Sequence, residues 1–259
     1  MLLRAIHSEW IKLRRTPAAW LTVLFPIVCI LGIGWYLAVS HRLSWNNLLS
    51  YAFGFWITLW PAAGVALQTA LAADYDRQEK RWQALRVRPV ALEALFGAKL
   101  LVQGFHLLLH SLLMSGLILI SGILLRVPGE MPWLLLLLLA LICTFLTLPL
   151  QVLYTWVATA TGIGMAIALG AVGLLLETLL GATSMGDRVW LFVPWAWPMR
   201  LFMLLSGVWI NVYGNFSLLM AQPILRPIPI PLVATLILLI GITIASLRWF
   251  CRIEPANDV

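Results

Sequence analysis

Residues Trp133 to Val157, WLLLLLLALICTFLTLPLQVLYTWV, contain no charged side chain. As a helix rising about 1.5 Å per residue, the run is long enough to cross roughly 30 Å of bilayer hydrocarbon. Five more runs of the same character stand on either side of it, at about Trp20 to Val39, Phe53 to Ala73, Leu100 to Leu125, Gly162 to Ala182 and Pro231 to Phe250. Together they predict an all-α integral membrane protein with six transmembrane helices in a single domain, residues 1–259, without internal repeats.

Composition removes several function classes. With 62% hydrophobic and 10% charged residues the chain has too little polar surface for a soluble domain. The net charge of +7 is explained by Lys and Arg facing an anionic inner leaflet, so no nucleic-acid partner is expected. Cys29, Cys143 and Cys251 are scattered and form no C-x-x-C, which points to neither a disulfide framework nor a metal site.

The basic residues give the orientation. Arg4, Lys12, Arg14, Arg15, Arg77, Lys80, Arg81, Arg86, Arg88, Lys99, Arg248 and Arg252 fall on one side. Arg42, Arg126, Arg188, Arg200 and Arg226 fall on the other. By the positive-inside rule the first side, with both ends of the chain, is cytoplasmic. Val189 to Val208 is nearly apolar enough for a seventh crossing but holds Pro194, Trp195, Trp197, Pro198 and Arg200, and a crossing there would move Arg248 and Arg252 outside. It is therefore read as a re-entrant or interfacial outer segment between the fifth and sixth helices, the alternative being an aromatic belt on an outer loop. Pro223, Pro227, Pro229 and Pro231 predict an extended connector into the last helix.

Before the first crossing, Leu2, Ile6, Trp10 and Leu13 recur at helical spacing while Arg4, Glu9, Lys12, Arg14 and Arg15 occupy the other faces. This predicts an amphipathic helix lying in the inner interface rather than a cleavable signal. Between the second and third crossings lies the longest polar stretch, Asp74 to Lys99. Alternating charges at Arg77, Glu79, Lys80, Arg81 and Arg86, with Trp82 and Leu85 three apart and Pro89 closing the run, suit a short exposed helix with one apolar stripe. Such a helix fits a groove on a soluble partner, and a solvated loop that only sets topology is the alternative.

The acidic start, basic run, Trp82, Leu85, Pro89 and Gly97-Ala98-Lys99-Leu100 of this stretch resemble the corresponding loop of ATP-binding-cassette type-2 exporter permeases. Glu9-Trp10-Ile11-Lys12-Leu13-Arg14-Arg15 resembles the interfacial helix of that family. Pro194-Trp195-Ala196-Trp197-Pro198 resembles the outer segment of its branch that protects bacteria against lantibiotics and related peptides. The resemblance implies a bacterial inner-membrane permease dimer, with an identical or homologous second subunit, and a coupling helix seated on a cytoplasmic ATPase dimer. It also implies that the second and fifth helices line the route between subunits, which makes Glu177 and Gln68 pathway candidates. An amphipathic substrate is implied, an antimicrobial peptide in the immunity branch. The outer charge, five arginines against Glu130 and Asp187, offers no attraction to a cationic peptide and leaves lipids and small-molecule antibiotics open.

No G-x-x-x-x-G-K-[ST] loop is present, so the chain itself is not expected to be an enzyme or to hold a cofactor; ATP and Mg belong to the partner subunit. His106 and His110, four apart on one helix face, suit hydrogen bonding to a neighbouring helix better than a metal, because no H-E-x-x-H pattern accompanies them. Glu177 stands among leucines and is expected to face a cavity, to pair with Arg188 or Arg200, or to be protonated. An intramembrane hydrolase using Glu177 with His106 or His110 is the reading from another class. A passive anchor for an ATPase is a third.

Overall fold

The computed structural model describes residues 2–14, 16–78, 92–211 and 227–252. Its described residues are helical, without strands. Six helices are long and apolar enough to cross a membrane: α2 (Pro17–Val39), α3 (Trp45–Asp76), α4 (Leu92–Leu124), α5 (Trp133–Thr161), α6 (Ile163–Gly181) and α8 (Pro229–Arg252). A shorter helix, α1 (Leu2–Arg14), precedes them, and α7 (Trp197–Asn211) lies between α6 and α8.

The helix over the opening run, α5, is the hub. It packs on α3, α4, α6, α7 and α8. Leu135, Leu136, Leu139, Cys143, Leu146, Leu150 and Tyr154 follow a helical stripe and are all buried. Lipid tails are as apolar as leucine, so association of these helices rests on close packing and interhelical hydrogen bonds rather than on the hydrophobic effect. Both are present. Thr144 Oγ1 donates to Ser111 Oγ at 2.9 Å and Ser115 Oγ to the Leu136 carbonyl at 3.1 Å, tying α4 to α5. Gln151 Nε2 and Thr155 Oγ1 both donate to Gln103 Oε1, at 3.1 and 2.6 Å.

Small residues set the tightest approaches. A Cβ on Gly170 of α6 would collide with the Ala66 methyl of α3, so these two backbones touch only because glycine stands there. At the end of α5, Gly162 takes φ 107°, a left-handed conformation, and α6 begins at the next residue. The connection anticipated around Ala158 to Gly162 is thus a single glycine joint.

Several predicted boundaries move. The second crossing begins at Trp45 rather than near Phe53: Ser44 Oγ accepts from the Asn47 backbone N–H at 3.1 Å, and the Trp45 ring is buried against Gly122. The polar Asn46 and Asn47 that read as loop form the capped first turn. Within α3 two π-helical turns, Leu48–Phe53 and Trp60–Gly64, widen the helix. The second contains Pro61, which lacks an N–H and crowds the preceding turn, so a wider register relieves it. Pro229 and Pro231, read as extended connector, instead occupy the first turns of α8, where a missing N–H costs nothing. Pro223 lies outside the described residues.

The two histidines differ: His106 Nδ1 bonds the Val102 carbonyl of its own helix at 2.9 Å, whereas His110 reaches two other helices. His110 is fully buried; its Nδ1–H donates to the Thr22 carbonyl of α2 at 2.9 Å and its Nε2 accepts from the Trp56 indole of α3 at 2.7 Å. A carbonyl only accepts and an indole only donates, which fixes the tautomer. The Trp60 ring stacks on the imidazole with centroids 3.5 Å apart. One side chain therefore holds three spans together. His110→Ala leaves a cavity and an orphaned indole N–H, and is expected to cost about 2–4 kcal/mol. Thermal unfolding in detergent measures it, with His110→Gln, which keeps a donor and an acceptor, recovering part of the loss.

Candidate functional site

The described end of the polar stretch between α3 and α4 is a charged cluster. Asp76 ends α3 and Lys99 lies two turns into α4, and because these helices run antiparallel the two side chains meet, Nζ to Oδ2 at 2.9 Å. Lys12 of α1 donates to the other oxygen, Oδ1, at 3.1 Å, and is also ion-paired to Glu9 on its own helix. Glu9, Asp76 and Lys99 are all buried. Burial pushes the Glu9 carboxyl up, and Lys12 offsets only part of this. Burial pulls the Lys12 ammonium down, but the Glu9 and Asp76 carboxylates outweigh it and leave it above its ordinary value.

A small cavity of about 20 Å³, room for one water, sits beside the cluster, lined by its charged side chains together with Leu13, Ala72 and Val102. The Gln103 amide, whose oxygen is taken by Gln151 and Thr155, has no partner for its Nε2 among the described residues.

Helix α1 packs on α4, and one expectation about its faces is corrected. Ala5 and Leu13 are buried and Trp10 packs on Phe105 and His106 of α4. Glu9 and Lys12, however, were expected on the polar faces, and both belong to the packed face. They are tolerated there because Asp76 and Lys99 complete a balanced set of two acids and two bases. Arg14 is exposed at the end of α1. Arg15 lies outside the described residues, as do Glu79, Lys80, Arg81, Trp82, Leu85 and Arg86. The backbone of Arg77 continues the last α-helical stretch of the second crossing, Val65–Gln78.

The second candidate region is where the outer tryptophan segment meets α5 and α6. Three short 3₁₀ turns, Ser184–Gly186, Trp190–Phe192 and Pro194–Ala196, lead into α7. Trp195 lies against Gly173 of α6 and donates its indole N–H to Tyr154 Oη of α5 at 2.8 Å. Gly173 is about midway along α6 and Tyr154 about 10 Å along α5 from its Thr161 end, so the indole is seated between these two helices. Pro194 opens the last 3₁₀ turn, and Pro198 occupies the first turn of α7. The Trp197 indole donates to the Leu191 carbonyl at 3.1 Å, while Phe202 stacks on Phe53 of α3.

Arg200 caps the end of α6. Its Nε donates to the Leu180 carbonyl at 3.0 Å, its Nη2 donates to the Thr183 carbonyl, and Nη1 pairs with Asp187 at 2.7 Å. It does not reach Glu177, and Arg188 is exposed. Glu177 opens a π-turn, Glu177–Gly181, is fully buried, and neither carboxyl oxygen has a hydrogen-bond partner among the described residues. Gln68 is also buried and donates to Thr22 Oγ1 of α2 at 3.2 Å. No hydrogen bond joins Glu177 to His106 or His110, and both His110 nitrogens are occupied, so these residues make no acid–base pair. Among the described residues no group of three His, Cys, Asp or Glu side chains could hold a metal ion.

Gly173→Val would drive a side chain into the Trp195 ring. The expected cost is about 1–3 kcal/mol, with tryptic cleavage at Arg188 and Arg200 accelerated as the outer segment undocks.

A family model described as ABC-2 family transporter protein matches residues 5–183, which cover α1 through α6. The chain belongs to the ABC-2 transporter family. No curated protein and no solved structure matches it. ABC-2 proteins of this kind are multi-pass membrane transport subunits that work with an ATP-binding-cassette ATPase.

Sequence reasoning missed Asp76 and Lys99 as site residues. An acid near the end of one crossing and a base near the start of the next is the only hint the chain offers, and the folded helices are needed to bring the two together.

Proposed function

We propose that this chain is the permease subunit of an ATP-driven exporter, dimeric with an identical or homologous second subunit, in the inner membrane of a bacterium with both chain ends cytoplasmic. Residues Arg77, Glu79, Lys80, Arg81, Trp82, Leu85 and Arg86 form the coupling helix for the ATPase dimer, which binds ATP and Mg. Hydrolysis there opens a route outward for an amphipathic substrate, past Glu177 and Gln68 on α6 and α3. The outer segment with Pro194, Trp195, Trp197, Pro198 and Arg200 is re-entrant and closes the outer end. The observation that supports this most is the buried pairing of Asp76 with Lys99 and Lys12, which ties the base of the polar stretch to two spans and the interfacial helix.

The cargo we favour is a lantibiotic-like antimicrobial peptide exported for self-immunity. Lipid and small-molecule antibiotic cargo are the competing classes, and the positive outer surface is compatible with them. Vanadate-sensitive hydrolysis by the permease–ATPase complex in nanodiscs separates them. Stimulation by a cationic lantibiotic, and not by added phospholipid or a neutral antibiotic, is the expected result; the reverse order removes the immunity role.

A further inference from the structure

Glu177 opens the last π-turn of α6, Glu177–Gly181, about 6 Å from the outer end of that helix, and is nevertheless fully buried. Its cover is the outer segment. The turns Ser184–Gly186 and Pro194–Ala196 and helix α7 pack on this π-turn, with Gly181 set against Met199 and the Ala196 carbonyl. One turn deeper on the same face of α6, Gly173 seats the Trp195 ring. The segment thus closes over a carboxyl whose two oxygens have no hydrogen-bond partner among the described residues.

Few titratable groups face it. Helix α7 brings Arg200, which is committed to Asp187 and to the Leu180 and Thr183 carbonyls. Helix α5 brings Cys143 and Tyr154, and Tyr154 Oη accepts the Trp195 indole N–H. The two packed turns, Ser-Met-Gly and Pro-Trp-Ala, bring none. An ionised carboxylate in such a dry site, with neither donor nor counter-charge, is strongly disfavoured, whereas a glutamate reached by water ionises above about pH 4.3.

We propose that Glu177 is a proton-binding site that latches the outer segment: the carboxyl holds its proton while Trp195 is seated, and lifting of the segment admits water and lets the proton leave. The O–H bond breaks, its electron pair stays on the carboxyl oxygen, the proton passes to water, and the resulting carboxylate opposes reseating. The site requires neither ATPase nor cargo and stands or falls apart from the export reading. Its sign follows from linkage. The group is protonated when docked and ionised when undocked, so docking is fully favoured below about pH 4.3 and weakens about ten-fold per pH unit above it. The neighbours act otherwise: the Arg200–Asp187 pair loosens in acid as Asp187 gains a proton, and Cys143 and Tyr154 are of types that ionise only in alkali.

The test uses the purified full-length chain in nanodiscs. Spin labels are placed at Phe192→Cys in the outer segment and Leu124→Cys at the end of α4, both exposed, with Cys251 replaced by serine and Cys29 and Cys143 left buried. Label distances are read from acid to mildly alkaline pH, and infrared spectra of the parent and Glu177→Gln are compared at neutral pH. In the parent a single docked distance in acid should give way to a second population whose ratio to the first rises about ten-fold per pH unit. Glu177→Gln, which cannot ionise, should keep the docked distance throughout and lack a protonated-carboxyl band that the parent shows. Asp187→Asn should keep the parent's response. A parent distance indifferent to pH, a response that survives in Glu177→Gln, or no carboxylic-acid band to lose overturns the latch. If Glu177→Gln does not assemble, the parent alone decides by the sense of its response: release in acid overturns the latch, and release towards alkali supports it.

Discussion

Glu177→Gln is expected to fold at least as stably as the parent and to export poorly. An ionised side chain costs about 2.5–3.5 kcal/mol at the centre of a spanning helix on insertion scales, an upper figure for Glu177 in the outer third of α6. Glu177 is fully buried and has no hydrogen-bond partner among the described residues, and Arg200, the nearby candidate, is committed to Asp187 and two carbonyls. An amide of the same shape removes the ionisable group while keeping volume, so the thermal midpoint in detergent should stay level or rise by a few degrees. Efflux from reconstituted vesicles should fall by about ten-fold or more. Unchanged efflux, with a raised midpoint, would make Glu177 a tolerated defect; a lowered midpoint would make it a structural element.

Scrambling Arg77 through Arg86 with composition retained is expected to leave insertion and subunit assembly intact and to uncouple hydrolysis from cargo movement. Docked helices draw most of their binding energy from a few central apolar anchors, each worth about 2–4 kcal/mol, and Trp82 and Leu85 are the only large apolar side chains of this run. Moving them off one face removes the match to a groove without changing net charge. Cargo efflux should drop by an order of magnitude or more while ATP hydrolysis continues. The comparison with Trp82→Ala alone shows how much of the effect is the anchor and how much the pattern of charges.

How much of this was readable from the chain differs by element. Six crossings and a helix before the first of them followed from periodicity and hydropathy, because length and apolar pattern are local properties. The start of α3 did not, since Asn46 and Asn47 read as loop until Ser44 caps them and Gly122 makes room for Trp45. Glu9 and Lys12 were assigned to solvent because a helical wheel cannot know that a counter-charge waits on another helix. Asp76 and Lys99 are separated by the whole polar stretch, and only the antiparallel packing of α3 on α4 brings them to 2.9 Å. Trp195 was legible as an interruption of an apolar run, but its seat on Gly173 and Tyr154 depends on α5 and α6 joining at a single glycine. Arg200 and Glu177 looked like natural partners by sign; the carbonyls that end α6 won the arginine instead.

The central claim is that a membrane body without a phosphate-binding loop borrows its force from an ATPase seated on the segment between α3 and α4. The most direct measurement is affinity capture of the full-length tagged chain in nanodiscs from its own membranes, followed by assay of vanadate-sensitive ATP hydrolysis in the eluate. An ATP-binding-cassette ATPase co-eluting in stoichiometric amount, with vanadate-sensitive hydrolysis in the eluate, is the predicted result. A parent eluate with no ATPase and no vanadate-sensitive hydrolysis contradicts it.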